Sequence, residues 1–289
     1  MRRLTAVIGI LTAFGASACS GDDRPAPKPA ATASPTRPPT PAAALPSVTL
    51  PDRPAELVEV LGKQVRAAGT VHAELRSTGG QGDQKIDERI NAQLRTGATP
   101  PQAQLTIVDT DPEQPGTTEA VISGGIVYTR VDGAEQAPGK PWVRLARQDA
   151  ANPDIGPLGK VLTGTLDEID KALGELATDT GLAIVRGGAF KGAPKSETVE
   201  GVAVHRYQGG TRTADLAGRD KSFEAMSKLG LKEVPWTLWV DDKGLPRKFE
   251  ADLATPQKMR VRQTVSYRRW GEPVIITVPP ADKVHVMGS

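Results

Sequence analysis

The side chains in this sequence that could do catalytic or metal chemistry are few: three histidines, one cysteine and scattered carboxylates. His72, His205 and His285 each stand alone, without a partner three or four positions away, and each falls in strand-like or tail sequence. That spacing suggests no metal site, and solvated strand positions are expected for all three. No G-x-S-x-G occurs, so the nucleophile elbow of a hydrolase is absent from the sequence. Asp241-Asp242-Lys243-Gly244 opens like a calcium loop but lacks the other ligands of a frame of about 12 residues, and it reads as a turn. Gly187-Gly188 and Gly209-Gly210 fit no phosphate-binding pattern and read as turns or bulges. No catalytic residue, metal or cofactor is expected.

The remaining reactive group is Cys19, and its position matters more than its number. With one cysteine, neither an intramolecular disulfide nor a multi-cysteine metal site can form. Arg2 and Arg3 form a positive start, Leu4 to Phe14 is an apolar run, and Ala16-Ser17-Ala18 supplies small residues next to a scissile bond. The apolar run is shorter than the roughly 20 residues that cross a bilayer as a helix. The triplet runs into Cys19, then Ser20, Gly21, Asp22 and Asp23. This stretch resembles a bacterial lipobox, in which the cysteine thiol is acylated before cleavage on its N-terminal side, between Ala18 and Cys19. Ala16 departs from that pattern, where Leu is commoner. Two acyl chains suffice for stable anchoring at about 0.8 kcal/mol per buried methylene. The expectation is a protein held by lipid on Cys19 at the extracytoplasmic face of the cell membrane.

Composition sets further bounds. The chain has 36 Lys+Arg against 34 Asp+Glu, and without Arg2 and Arg3 the two are equal. A neutral chain has no bulk attraction for nucleic acid, and with 4% aromatics there is little surface for base stacking. Ser20 to Pro54 holds ten of the 25 prolines among Ala, Thr and Ser. Such a stretch cannot bury apolar surface and favours an extended chain, with a reach of up to about 100 Å. The division expected is a signal peptide over 1–18, a lipidated cysteine and Pro-rich tether over 19–53, and one domain over 54–289. A monomer is expected.

The domain opens with a helix. Leu57, Leu61 and Val65 share one face of Glu56–Ala68, and Gly69 ends it. Period-two alternation then marks VHAELRS, INAQLRT, AQLTIVD, TEAVIS and GIVYTRV, with Gly124-Gly125 as a hairpin turn. Trp142 to Leu145 is another short strand. Helical spacing follows at Ile155, Leu158, Val161 and Leu162. Thr165 with Glu168 reads as a capping box before Leu166, Ile169, Leu173 and Leu176. Strands are expected at GLAIVRGGAF and GVAVHRYQG, and a helix over about 213–229 with Leu216, Phe223, Met226 and Leu229 apolar. PWTLWVDDKGLPRKFEADL is a hairpin around Asp242-Lys243-Gly244, and KMRVRQTVSYRRW alternates again. The fold class is α+β: a long, curved, largely antiparallel sheet with helices on one side.

Several of these features occur together in one known group. Cys19 and the tether precede a first helix that runs into a strand near Thr70. Helices fill about 154–177, and the end reads WTLWVDDKGLPRKFEADL, then VSYRRWGEPVIITVPPADKV. The chain resembles the LppX/LprA/LprF/LprG lipoproteins of actinobacteria, which share their shape with the LolA lipoprotein carriers. The resemblance implies a half-barrel sheet whose concave face, roofed by helices, holds the acyl chains of a lipid or lipoglycan. It implies no catalysis.

The residues allow that cavity without requiring it. Inward positions at Ala73, Ala92, Ala103, Ala183 and Ala251 are small. Small side chains leave room between layers for a ligand, or let helix and sheet pack closely. Leu158, Leu162, Ile169, Leu173, Phe223 and Met226 are the helix residues expected to line the same space. Lys258, Arg260, Arg262 and Arg268 form a stripe that could meet anionic head groups or, more ordinarily, an outer strand face neutralised by Glu250 and Asp252. The leading expectation is a lipid or lipoglycan carrier. The alternative is an envelope sensor of the same shape that binds a protein.

Overall fold

A computed structural model describes residues 45–81, 84–98, 100–109, 116–135, 137–151, 157–217, 224, 227–228, 230–255 and 259–286. Helix α1 spans Pro54–Ala68, with Pro at its first positions, where a missing N–H costs nothing, and Glu56 in the first turn. Leu57, Val58, Leu61, Val65 and Ala68 form its buried face. Gly69 closes it in the left-handed region at φ 73°, its N–H donating to the Val65 carbonyl at 3.1 Å.

Six strands follow: β1 Thr70–Gln81, β2 Gln84–Arg95, β3 Gln102–Asp109, β4 Gly116–Ser123, β5 Ile126–Val131 and β6 Trp142–Ala146. Gly124 and Gly125 join β4 to β5 with φ 62° and 75°, the two positive values that a twist-matched hairpin turn requires. Helices α2 (Arg147–Ala150), α3 (Pro157–Leu176) and α4 (Asp179–Arg186) come next. Strands β7 (Ala189–Phe190), β8 (Lys195–Val199) and β9 (Val202–Arg212) and helix α5 (Thr213–Ala217) follow. The chain ends with β10 Glu233–Asp241, β11 Pro246–Ala254, β12 Arg260–Arg268 and β13 Val284–Val286.

Among the described residues these strands form one unclosed sheet in the order β13-β6-β5-β4-β3-β2-β1-β12-β11-β10-β9-β7, with β8 also on β9. Every pairing is antiparallel except β13 with β6. The architecture is α+β: a curved half-barrel with helices packed on its concave face. Strand β1 sits at the centre between β2 and β12, so Ala73 faces Ala92 on one side and Tyr267 on the other. The concave residues Ala73, Leu75, Ile90, Ala92, Leu94, Leu105, Val265 and Tyr267 are at most 6% exposed. Their intervening neighbours on the convex face are polar, which is the half-buried alternation the sequence displays.

The β10–β11 turn is tied by Asp241. Its Oδ1 accepts the N–H groups of Lys243 and Leu245 at 3.0 and 2.9 Å, and its Oδ2 takes Arg247 Nη2 at 2.6 Å. A turn was the expectation for this segment, and a turn it is.

Three expectations are corrected. GLAIVRGGAF is not a strand: Asp179–Arg186 is helix α4, and only Ala189–Phe190 pairs in the sheet. A short apolar run has no period that separates a buried strand from a buried helix, and here Leu182, Ile184 and Val185 are all buried on the helix. Ala183 therefore lies on a helix and not on an inward strand position. Thr165 caps nothing, because α3 runs unbroken from Pro157 to Leu176, and Thr165 is buried in its middle. Val274–Val278, though of strand composition, makes no sheet pairing. It crosses the convex face as an extended strap. Of the helix expected over 213–229, Thr213–Ala217 is helical, and most of the rest lies outside the described residues.

Candidate functional site

Two surfaces of the sheet could receive a ligand. The first is the concave trough. Ala73 and Ala92 sit side by side, and their row continues through Leu105, Ala120 and Thr129 across β3, β4 and β5. Ala103 lies one row away between Leu94 and Ile122. Helix α3 roofs this strip, with Leu162, Leu166, Ile169, Leu173 and Leu176 buried, and its backbone comes near β1 and β6. The trough is closed by its own side chains: Leu162, Ile169 and Leu173 are 2%, 8% and 7% exposed, and Ala103 is fully buried.

Ala251 occupies a different part of the face. It lies directly across from Trp236 on β10, away from the Ala73–Ala92 pair. Leu158 belongs to α3 by its backbone, but its side chain lies outside the described residues, as do Phe223, Met226, Ala18 and Cys19. Seven of the expected trough residues, Ala73, Ala92, Ala103, Leu162, Ile169, Leu173 and Ala251, share the central core.

The junction of α3 and α4 is strained. Thr178 has φ 77°, a left-handed conformation that a β-branched residue adopts rarely. It is 2% exposed, and its hydroxyl has no partner among the described residues. Beside it, burial pushes the Asp179 carboxyl above the ordinary carboxylate range, against the pull of Arg66. Burial also pushes the Tyr267 hydroxyl, which is sealed under this junction, strongly up.

The second surface is a groove of about 190 Å³ on the convex face, which the sequence reading did not single out. One side is the cross-strand row Arg268–His72–Gln93–Gln104. The other is the row Ser266–Glu74–Asn91–Thr106. The strap borders it: Ile275 N–H donates to Gln93 Oε1 at 3.1 Å and Thr277 N–H to Gln104 Oε1 at 3.4 Å. Val274 beneath the strap is 3% exposed, whereas Ile275 is 73% exposed. Only register reveals this arrangement; the residues lie on three consecutive strands, β1 to β3, and on the distant β12.

His72 is part of that groove and half-buried, while His205 and His285 lie on β9 and β13. Among the described residues no cluster of metal-ligating side chains occurs, and no helix is long and apolar enough to cross a membrane. The cationic stripe is largely matched. Arg262 Nε donates to Asp252 Oδ1 at 2.7 Å and Arg268 Nε to Glu200 Oε2 at 2.7 Å, while Glu250 pairs with Lys248. Lys258 lies outside the described residues.

No protein-family model matches the chain, and no curated protein matches it. Solved structures do align with it. The crystal structure of LprF from Mycobacterium bovis covers 78% of this chain and 97% of its own, at 17% identity and a TM-score of 0.46. The crystal structure of lipoprotein LppX from Mycobacterium tuberculosis covers 77% of this chain and 98% of its own, at 16% identity and a TM-score of 0.46.

Proposed function

We propose that this protein is a non-enzymatic lipoprotein, anchored through Cys19 outside the cytoplasmic membrane, that binds the acyl chains of a lipid or lipoglycan between the concave sheet and α3. The observation that supports this reading is the trough itself: an apolar strip of an unclosed sheet, floored in part by Ala73, Ala92 and Ala120 and bridged by one helix supported at β1 and β6. Its lining side chains already touch, so a guest enters only as α3 lifts. Each buried methylene contributes about 0.8 kcal/mol, so a chain of about sixteen carbons gains on the order of 10 kcal/mol.

The experiment is native mass spectrometry of the chain carrying Cys19→Ser, expressed in a bacterial host and never exposed to detergent. Co-purifying acyl lipid at near one-to-one stoichiometry supports the reading. A bare polypeptide mass, unchanged after incubation with phospholipid vesicles, removes it. The anchor is tested separately, by metabolic labelling with palmitate of the wild type against Cys19→Ser. A second reading, an envelope sensor that binds a protein, draws on the same buried trough: a face already closed has no need of a lipid. The bare mass would favour it.

A further inference from the structure

We propose that the convex groove is a second binding site, and that it takes a neutral, hydroxyl-rich ligand, a short glycan strand. This inference is independent of the acyl-lipid reading, because the groove lies on the opposite face of the sheet from the trough.

The two rows of the groove each cross four adjacent strands, and strands lie about 4.8 Å apart, so each row extends about 14 Å. That is an elongated slot. The charged groups at its β12–β1 end are already matched, Arg268 by Glu200 and Glu74 by Arg89 at 3.8 Å, so a ligand brings no charge that the slot would neutralise. What remains is carboxamide, hydroxyl and the His72 imidazole. Gln93 and Gln104 spend their oxygens on the strap and keep their N–H₂ donors. Asn91, Thr106 and Ser266 form no hydrogen bond to another described side chain. Carboxamides and hydroxyls both donate and accept, which matches sugar hydroxyls that do the same.

An extended peptide fits less well. Peptides gain affinity by pairing with an exposed strand edge and by seating side chains in apolar pockets, whereas this slot lies across the middle of a sheet face and its side-chain lining is polar. The volume of about 190 Å³ holds roughly six waters at liquid density, which a sugar ring and its hydroxyls would displace in kind. No Phe, Tyr or Trp ring lines the groove, so stacking contributes little and the expected affinity is weak, with a Kd of about 1 mM.

The test is saturation-transfer NMR on the full chain carrying Cys19→Ser, with mannotriose and maltotriose as probes and trialanine as comparison. Transfer from at least one trisaccharide, reduced about tenfold in affinity by Asn91→Leu and by Thr106→Val, is the expected result; both side chains are solvent-facing, so both variants keep the fold. The octyl glycoside of the bound sugar distinguishes the source: equal affinity marks a free glycan, and tighter binding a glycolipid head group. No transfer from either trisaccharide at about 10 mM, transfer unchanged in both variants, or binding of trialanine alone overturns the proposal.

Discussion

Gly209 and Trp236 face each other across β9 and β10, and the indole occupies the space a side chain on Gly209 would need: a Cβ there would lie 2.2 Å from Trp236 Cζ2 and 2.6 Å from the Ala189 carbonyl. The indole is held in place. Its Nε1 donates to Thr211 Oγ1 at 3.0 Å, and Thr211 Oγ1 donates to the Ile184 carbonyl at 2.7 Å, linking β10 to α4. Ala251 lies on the other side of Trp236, so one large ring between two small residues sets the packing of this end of the sheet. Gly209→Ala is expected to cost about 1–3 kcal/mol by overpacking, read as a lower urea midpoint with an unchanged slope. Wild-type stability in that variant would refute the packing.

The trough makes a different prediction. Ala92 is 6% exposed and faces Ala73 and Leu105. Ala92→Leu is expected to lower stability by about 1–3 kcal/mol and to reduce co-purifying lipid in native mass spectra. Arg89→Leu, three positions away with its exposed side chain on the convex face, should retain lipid. Equal retention in both variants would place the hydrocarbon elsewhere.

Thr178→Gly should stabilise the protein. The left-handed conformation costs an L-residue about 1–2 kcal/mol, and a buried unpaired hydroxyl adds about 1–3 kcal/mol. Glycine gives back about 0.5–1 kcal/mol through its freer unfolded chain. A net gain of about 1 kcal/mol or more in urea unfolding is expected. Thr178→Ala, which keeps the Cβ, should gain less, and the order Ala above Gly would contradict the strain.

His72 gives the protein an acid-sensitive contribution. Burial, then Arg269, lowers its pKa, while Glu272 opposes them. The folded value thus lies below the unfolded value of about 6.5, so the unfolded chain binds the proton first as pH falls. Stability is full above about pH 7 and declines as pH drops through about 6.5 toward the folded value. NMR titration should place the imidazole midpoint below about 6.5. His72→Gln should flatten this part of the stability profile; a midpoint above the ordinary value would reverse the sign.

Most of the sheet is readable from residues alone because period two survives wherever one face is wet. VHAELRS, INAQLRT and AQLTIVD carry that alternation, and each is a strand in the expected phase. GLAIVRGGAF failed because both faces of that segment are covered, which erases the periodicity that separates helix from strand. The α3–α4 bend gave no signal because Thr178 occupies a conformation that glycine usually marks. The parallel β13–β6 pairing and the strap were invisible for a related reason: EPVIITVPP has strand composition, but its partners are Gln93 and Gln104 side chains and not a neighbouring backbone. The alanines of the trough were legible as inward and small. Which of them share a space was not, because that depends on the register between neighbouring strands.

The placement of β1 between β2 and β12 has a temporal consequence. The central strand of the sheet waits for a partner far along the chain, so the core cannot be completed before β12 has been synthesised. Assembly is deferred until that strand is available, and such non-local topologies fold slowly.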